Sequence, residues 1–402
     1  MRIHVAAKKR IHYKFWVFFH GEGIVLAAFL VVIIWVSVGM ILLPMVVYPV
    51  VIFLLGLFFS RREGSSFQEY PFVSVMIAAR NEEKCIGERL QNLLEQDYPK
   101  DRIEILVASD VSTDRTDEII KSFEKNGVYF LRIEKRLGKS ALMVELSKIA
   151  KGEILVFTDA NTQFNPNTVR ELVDPFADPA VGCVDGSKQN SLDSITCESI
   201  YWRYEQMLKA LGSKIGAVLG ATGAVFAVRK SLYNPPDPAR ADDFETAVST
   251  RVQGYACLYN HRAIAAEPTP TDSIQYHRLV RIVSWMIGSA FSLFGKAVKR
   301  KRYGLALQLA VHKILRWNMG IFAIIASIAG GLLAVYDSPT NYLFVSVTVF
   351  NMVALAGKLS GNKMPSSLRL PYFFWLMCLA SLSGVARSLT SSAVSVWDHS
   401  AR

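Results

Sequence analysis

The chain lacks charge where it is most apolar and lacks acid where it is most basic. Residues 23–59 contain no charged side chain, and residues 273–336 contain no Asp or Glu but nine Lys or Arg. The first absence excludes a wholly water-soluble protein, because a 37-residue apolar helix would be roughly 55 Å long against a hydrocarbon core of about 30 Å. Cysteine is scarce. Cys85, Cys183, Cys197, Cys257 and Cys378 are odd in number and show no Cys-x-x-Cys spacing. That excludes a disulfide framework or a structural zinc site and fits free thiols in a reducing compartment. The seven histidines form no His-Glu-x-x-His pattern. No internal repeat suggests a transporter.

What is present is a mixture. Half the residues are hydrophobic (51%) and 20% are charged, which is too apolar for an ordinary soluble enzyme and too polar for a chain buried entirely in a bilayer. The formal charge of +11 is unevenly placed. Residues 1–22 carry five basic residues and one acid, residues 23–272 carry 26 basic and 31 acidic, and residues 273–402 carry 14 basic and two acidic. The large polar middle is therefore acidic, and the positive charge flanks the apolar segments. Anionic lipid and cytoplasmic loops account for that distribution; nucleic-acid binding does not.

Four regions follow. Residues 1–62 hold a basic start (Lys8, Lys9, Arg10, Lys14) and the apolar run, where Pro44 and Pro49 predict a break into two passes or one span plus a re-entrant piece. Arg61-Arg62 beyond it matches the basic start, which favours an even number of crossings. Residues 63–272 read as a soluble α/β unit. Residues 273–316 read as amphipathic interfacial helices, with Trp285, Met286, Phe291 and Phe294 among the basic residues. Residues 317–402 hold three apolar segments near 318–335, 341–357 and 371–390. The loop 337–340 has no basic residue and the loop 358–369 has three, so the soluble unit is expected on the cytoplasmic side.

In the α/β unit, apolar runs at Val73–Ala78, Ile103–Ala108, Val128–Ile133 and Ile154–Thr158 predict short buried strands. Helical patterns through Ile86, Leu90, Leu93 and Leu94, from Thr116, and near residues 140–150 separate them. Such alternation implies βαβ crossovers and a mostly parallel sheet, whose ligands sit at the carboxyl ends of the strands. Four polar clusters follow these strands or open a later helix: Ala79–Glu83, Ser109–Thr116, Asp159–Asn161 and Asp242–Glu245. Each alone has a plain structural use, since Asp114 with Thr116 caps a helix and Asp242-Asp243 complements a helix N-terminus. Four converging on one sheet edge point to a site.

These segments, in this order and between these apolar stretches, resemble glycosyltransferase family 2, the GT-A-fold membrane enzymes that include exopolysaccharide, cellulose and hyaluronan synthases. Val-Ser-Val-Met-Ile-Ala-Ala-Arg-Asn-Glu-Glu (73–83) resembles the family's opening strand and Asn-Glu turn, which implies that Ala79, Arg80 and Glu82 lie at the donor nucleotide. Ser-Asp-Val-Ser-Thr-Asp-Arg-Thr (109–116) resembles its Asp-x-Ser-x-Asp-x-Thr loop and implies that Asp110 helps hold the base. Arg-Leu-Gly-Lys-Ser (136–140) resembles its Arg-x-Gly-Lys element and points to Arg136 and Lys139. The same residues fail as a phosphate-binding P-loop, whose first glycine would fall at Ile133.

Phe-Thr-Asp-Ala-Asn (157–161) sits where the family has Asp-x-Asp. The resemblance implies that Asp159 and Ala160 lie at the donor and that Asp159 and Asn161 ligate Mg²⁺ or Mn²⁺, with one negative charge fewer than the family pattern supplies. Asp-Asp-Phe-Glu (242–245) resembles the family's Glu-Asp motif and implies Asp243 as catalytic base. Asp242 or Glu245 either raises its pKa or caps the helix. Of the family's Gln-x-x-Arg-Trp motif, Arg281 matches the arginine, while Arg278 and Ile282 hold the Gln and Trp positions. Arg278 and Arg281 either bind diphosphate oxygens or anchor a helix to lipid. The missing Trp removes one support for processive polymerisation. Gly220, Thr222 and Gly223 resemble the loop that approaches the donor and acceptor sugars; the alternative is a tight turn before a strand at Ala224–Val228. His312–Trp317 and the terminal residues 397–402 also resemble family elements and are expected as interfacial anchors.

The resemblance implies an integral inner-membrane enzyme with a cytoplasmic catalytic domain. It would be an inverting transferase moving a sugar from a nucleotide sugar, commonly a UDP-sugar, to a lipid-linked or growing saccharide. Two alternatives stay open: a polyprenyl-phosphate sugar synthase, and a catalytically weak scaffold subunit of a polysaccharide secretion complex.

Overall fold

The computed structural model describes residues 25–59, 61, 67–190, 197–236, 240–267, 275–334, 341–360 and 365–390. The basic start, Arg62, the loop 337–340, Lys363 and residues 397–402 lie outside them. In chain order the principal elements are α1 (Val25–Phe58), β1 (Val73–Ala79), α2 (Ile86–Leu94), β2 (Ile103–Asp110), α3 (Thr116–Ser122), β3 (Val128–Ile133) and α4 (Lys139–Ile149). They continue with β4 (Ile154–Asp159), β5 (Gln163–Phe164), α5 (Thr168–Val173), β6 (Val181–Asn190), α6 (Cys197–Lys214), β7 (Val225–Arg229), α7 (Asp242–Val252) and β8 (Ala256–Glu267). The last are α8 (Gln275–Lys299), α9 (Tyr303–Leu309), α10 (Met319–Leu333), α11 (Asn341–Ser360) and α12 (Leu370–Thr390).

The chain divides into two compact units. One comprises Met1–Val47 and Leu315–Leu382, the other Tyr48–Ile314 and Ser383–Arg402.

The second unit is built on an eight-stranded sheet of order β3-β2-β1-β4-β7-β6-β8-β5. β3, β2, β1 and β4 are parallel, as the alternation of strand and helix requires. β1 is buried along its whole length because helices cover both sheet faces. Val73, Val75 and Ile77 face Leu90 and Leu93 of α2, and Met76 and Ala78 face Leu142 and Leu146 of α4. Phe157 and Phe226 stack 4.4 Å apart across β4 and β7.

The sheet is mostly parallel, as the sequence predicts, and its antiparallel pairings are confined to the far half. β7 runs antiparallel to β4 and β6, β8 runs parallel to β6, and β5 closes the edge antiparallel. The consequence is local and useful. Val225 pairs with Thr158, so the turn entering β7 lies beside the carboxyl end of β4. Ala79 pairs with Ser109 and Ala78 with Asp159, which brings the ends of β1, β2 and β4 level at one edge.

α8 packs on this unit through Val280, Val283, Ile287, Ala290, Leu293 and Ala297, all buried and spaced three or four residues apart. Its 24 residues Tyr276–Lys299 are also long and apolar enough to cross a membrane.

In the other unit, Ala27, Leu30 and Ile34 of α1 pack against Ala329, Leu333 and Leu343. Trp375 donates to Asn351 at 3.1 Å, and Asn351 donates to Ser327 at 3.2 Å, satisfying polar groups between apolar helices. The segment 25–58 corrects the expected break. It is one 34-residue helix, in which Pro44 falls in a π-helical turn, Leu43–Val47. The wider turn absorbs the lost amide and the ring's bulk without ending the helix. Four described helices, Val25–Phe58, Tyr276–Lys299, Tyr342–Ser360 and Leu370–Thr390, are long and apolar enough to cross a membrane.

Candidate active site

The polar clusters at the ends of β1 and β2 are sewn together by their own backbone. Asn81 and Val111 both adopt positive φ (51° and 56°), turning each strand end so that the loops meet. The amide of Glu82 donates to Thr116 Oγ1 at 2.8 Å, that of Thr113 to Asn81 Oδ1 at 2.8 Å, and that of Arg115 to Glu83 Oε2 at 3.1 Å. Asp114 accepts the Thr116 amide at 3.0 Å and so takes the capping use open to it. Ala79 is buried, Arg80 half-buried, and Glu82 is bonded within its turn by the Cys85 thiol at 3.2 Å.

Asp110 ends β2 and has no exposed surface. Its two oxygens accept the amides of Leu137 at 2.8 Å and Gly138 at 3.0 Å. This carboxylate therefore holds the loop that presents Arg136, which is exposed, and Lys139, which opens α4. Lys139 Nζ donates to Asp159 Oδ1 at 2.5 Å and lies 3.4 Å from the carbonyl of Gly223. Burial works against its charge, but Asp159, then Asp242 and Asp243, outweigh that and hold the ammonium above the ordinary lysine range.

Asp243 sits in the first turn of α7. Its Oδ2 accepts the amide of Gly223 at 3.1 Å and its Oδ1 that of Phe244 at 2.6 Å. Burial, then the neighbouring Asp242, pushes this carboxyl up to about 6, against the pull of Lys139. Asp242 is buried, and its Oδ2 has no hydrogen-bond partner. Glu245 faces elsewhere: it accepts from Ser289 of α8 at 3.1 Å and pairs with Arg240 at 3.8 Å. Phe244 lies beneath Gly220, whose φ of +106° suits glycine and whose missing Cβ leaves room for the ring.

The structure thus brings Asp110, Lys139, Asp159, Gly223, Asp242 and Asp243 into one connected cluster. Arg278 and Arg281 are carried by α8, where the Arg281 guanidinium lies 5.7 Å from the ring centre of Trp285. The motif arginine therefore has an aromatic partner one helical turn on. His312, expected at the membrane interface, is instead 5% exposed and stacks on Tyr48 at 4.6 Å. His312 lies in a π-helical turn, Ala310–Leu315, and Lys313 Nζ in the same turn lies 5.6 Å from the centre of the Phe244 ring.

Ala160 is buried behind Asp159. A divalent cation implied by the family resemblance finds suitable donors here. Asn161 Oδ1 is buried without a hydrogen-bond partner, and Asp159 offers a carboxylate. Among the described residues no cluster of three or more His, Cys, Asp or Glu could hold a metal. Two oxygen donors suit an ion that completes its shell with phosphate and water.

Three groups near the site carry no sequence motif: Arg89 and Asp185, both wholly buried, and Lys209, which is half-buried. Arg89 is wholly buried, donates to Thr158 Oγ1 at 2.7 Å and to Asn92 Oδ1 at 2.5 Å, and lies 4.1 Å from the centre of the Phe164 ring. Burial pushes its guanidinium down to about 9 against the attraction of Asp159. An arginine next to Glu88 on an amphipathic helix gives no sequence signal of such burial.

Residues 74–234 match the model of glycosyl transferase family 2. Among curated relatives, the beta-monoglucosyldiacylglycerol synthase of Synechocystis sp. is 29% identical over 172 residues, 40% of this chain and 36% of that protein. The poly-beta-1,6-N-acetyl-D-glucosamine synthase of Staphylococcus epidermidis is 30% identical over 125 residues, 31% of this chain and 30% of that protein. The chain thus matches about a third of the length of each of these relatives. Among solved structures, the mannosyltransferase PcManGT from Pyrobaculum calidifontis, in complex with GDP-Man and Mn²⁺, superposes with a TM-score of 0.67 at 20% identity, covering 91% of this chain and 99% of that one. The shared architecture is a GT-A-like α/β fold. The Gly223 turn lies inside the matched stretch and Asp243 just beyond it; residues 74–234 are the part of the chain that is glycosyl transferase family 2.

Proposed function

We propose that this chain is a membrane-bound inverting glycosyltransferase that moves a sugar from a nucleotide sugar, a UDP-sugar by family resemblance, to a lipid-linked or growing saccharide acceptor. The observation that carries the reading is the setting of Asp243. It is a carboxylate oriented by two backbone amides, raised to about 6 by burial and Asp242, and joined through Gly223 to the Lys139–Asp159 pair. A base of that pKa is ionised at neutral pH yet accepts a proton readily.

In this mechanism Asp243 takes the proton of the acceptor hydroxyl as its oxygen bonds to the anomeric carbon. The bond from that carbon to the diphosphate breaks on the opposite face, and its electron pair leaves with the diphosphate oxygen. Lys139 offsets the charge that develops there. A divalent cation held by Asp159 and Asn161 would add further charge neutralisation at the leaving group. Asp110 keeps the Lys139 loop in place through its two amide bonds. Arg136, Arg278 and Arg281 are assigned to the donor side, and Ala79, Arg80 and Glu82 to the nucleotide. Gly220, Thr222 and Gly223 are assigned to the sugars. The apolar helices and the basic, acid-free stretch 273–336 support an inner-membrane setting with the catalytic unit on the cytoplasmic side. A lipid-linked acceptor accords with the glycolipid synthase among the relatives.

The test is nucleotide release by purified protein in nanodiscs against a panel of nucleotide sugars, with and without Mn²⁺, with membrane lipid extract as acceptor source. Release that depends on one donor and on Asp243 supports the transferase. No release from any donor overturns it in favour of a scaffold subunit.

A further inference from the structure

Thr222 and Gly223 open a turn, closed by the Val225 amide on the Thr222 carbonyl at 2.8 Å, that has an unusual set of anchors. On the Gly223 side, the amide goes to Asp243 at 3.1 Å and the carbonyl faces Lys139 at 3.4 Å. On the Thr222 side, the amide donates to Asp185 Oδ1 at 2.7 Å. Lys209 Nζ donates to Thr222 Oγ1 at 2.9 Å and pairs with Asp185 Oδ2 at 2.6 Å. Asp185 lies in β6, its side chain wholly buried, and Lys209 comes from the middle of α6. A lysine and a carboxylate thus hold each side of a single turn, and on the Thr222 side the two are paired with each other.

Drawing Asp185 wholly, and Lys209 in large part, out of water strips hydration from both ions, and well-packed apolar residues commonly stabilise a fold as well or better. The pair's contacts show what it does instead. It fixes the amide and hydroxyl of the one residue that precedes the amide holding Asp243. Gly223 has no side chain to set its own orientation, so the peptide plane that meets Asp243 is governed by how Thr222 is held. An error of about 1 Å at a catalytic group costs on the order of a hundredfold in rate.

We propose that Lys209 and Asp185 are positioning residues of the transfer reaction, which act through the Thr222–Gly223 turn to orient Asp243. This rests on the reading of Asp243 as the base. Neither residue touches the donor in this account, so both act on kcat and leave the donor KM near its original value.

The experiment measures kcat and KM for donor consumption, together with melting temperature, on the full chain in nanodiscs. Lys209→Met is expected to lower kcat about a hundredfold with donor KM changed less than about threefold. Lys209→Met combined with Asp185→Asn leaves no buried unpaired charge, so melting temperature recovers while kcat stays low. Thr222→Val, at a half-exposed position that keeps its amide, lowers kcat about tenfold, and Thr222→Ser restores it. If Lys209→Met does not fold, the double variant and the Thr222 pair carry the same reading. Recovery of kcat along with stability in the double variant makes the pair purely structural and overturns the inference. So does a raised KM with unchanged kcat, which makes Lys209 a donor ligand. A wild-type protein that releases nucleotide while every variant matches it overturns this inference alone; a wild-type protein that releases none overturns the transferase reading and this inference with it.

Discussion

The amide of Gly223 donates to Oδ2 of Asp243 at 3.1 Å, while the carbonyl of the same residue faces Lys139 Nζ at 3.4 Å. One residue, through the two peptide units that flank it, therefore connects the assigned base to the lysine that pairs with Asp159. Substitutions on either side of that residue separate orientation from charge.

Asp243→Asn keeps the shape and an acceptor for one of the two amides but cannot take a proton. Transfer is expected to fall by at least about a hundredfold, with nucleotide binding by calorimetry near that of the wild type. A collapse of binding would make Asp243 a donor ligand or a structural cap.

The rate should also report the raised pKa of Asp243. Activity is expected to drop on the acid side with an apparent pKa of about 6, since the protonated carboxyl is no base. Linkage gives a second readout. A carboxyl raised in the folded state binds more protons folded than unfolded between about pH 4 and 6. Its contribution is present below the unfolded pKa and lost as pH rises through the folded one. Thermal melts across this range should show the wild type losing stability relative to Asp243→Asn as pH increases; parallel curves would contradict the raised value.

Gly223→Ala is a steric test with little backbone cost, because Gly223 is not in the left-handed region. The new methyl would sit 3.1 Å from Asp243 Oδ2 and 3.4 Å from Lys139 Nζ. The carboxylate has to shift by a few tenths of an ångström. A tenfold or greater loss of kcat is expected, with the melting temperature within a few degrees of wild type. An unchanged kcat would show that the Gly223–Asp243 bond does not orient the base.

Asn161→Asp restores a second negative charge beside Asp159. Half-maximal activation by Mn²⁺ or Mg²⁺ should shift to lower concentration, by about tenfold. An unchanged metal titration would place Asn161 outside the coordination shell.

Much of the near half of the sheet was readable residue by residue. Val73, Ile103, Val128 and Ile154 begin the four parallel strands, as their apolar runs indicated. The clusters at Ala79–Glu83, Ser109–Thr116 and Asp159–Asn161 then follow from topology alone, since parallel strands deliver their carboxyl ends to one edge. β6 and β8 gave weaker signals. Val181–Asn190 is half polar, and Asp185 in its middle reads as a solvent-facing residue rather than a wholly buried one. Pro44 misled in the other direction: local chemistry says that proline breaks a helix, but a π-helical turn accommodates it.

By itself the amino-acid sequence determined where the chain is apolar enough for a bilayer, where four parallel strands begin, and which acids stand at their ends. These depend on hydropathy, side-chain period and spacing within a few residues, all written along the chain. Tertiary structure alone decided that β7 returns antiparallel beside β4, that Thr222 and Gly223 fall between two lysines, and that Asp185 and Arg89 are buried with Lys209 half-buried beside Asp185. Lys209 and Asp185 are 24 positions apart, and Asp159 and Gly223 are 64 apart. Only pairing between distant strands brings such residues together, and no local pattern encodes the burial that then gives them their charge partners.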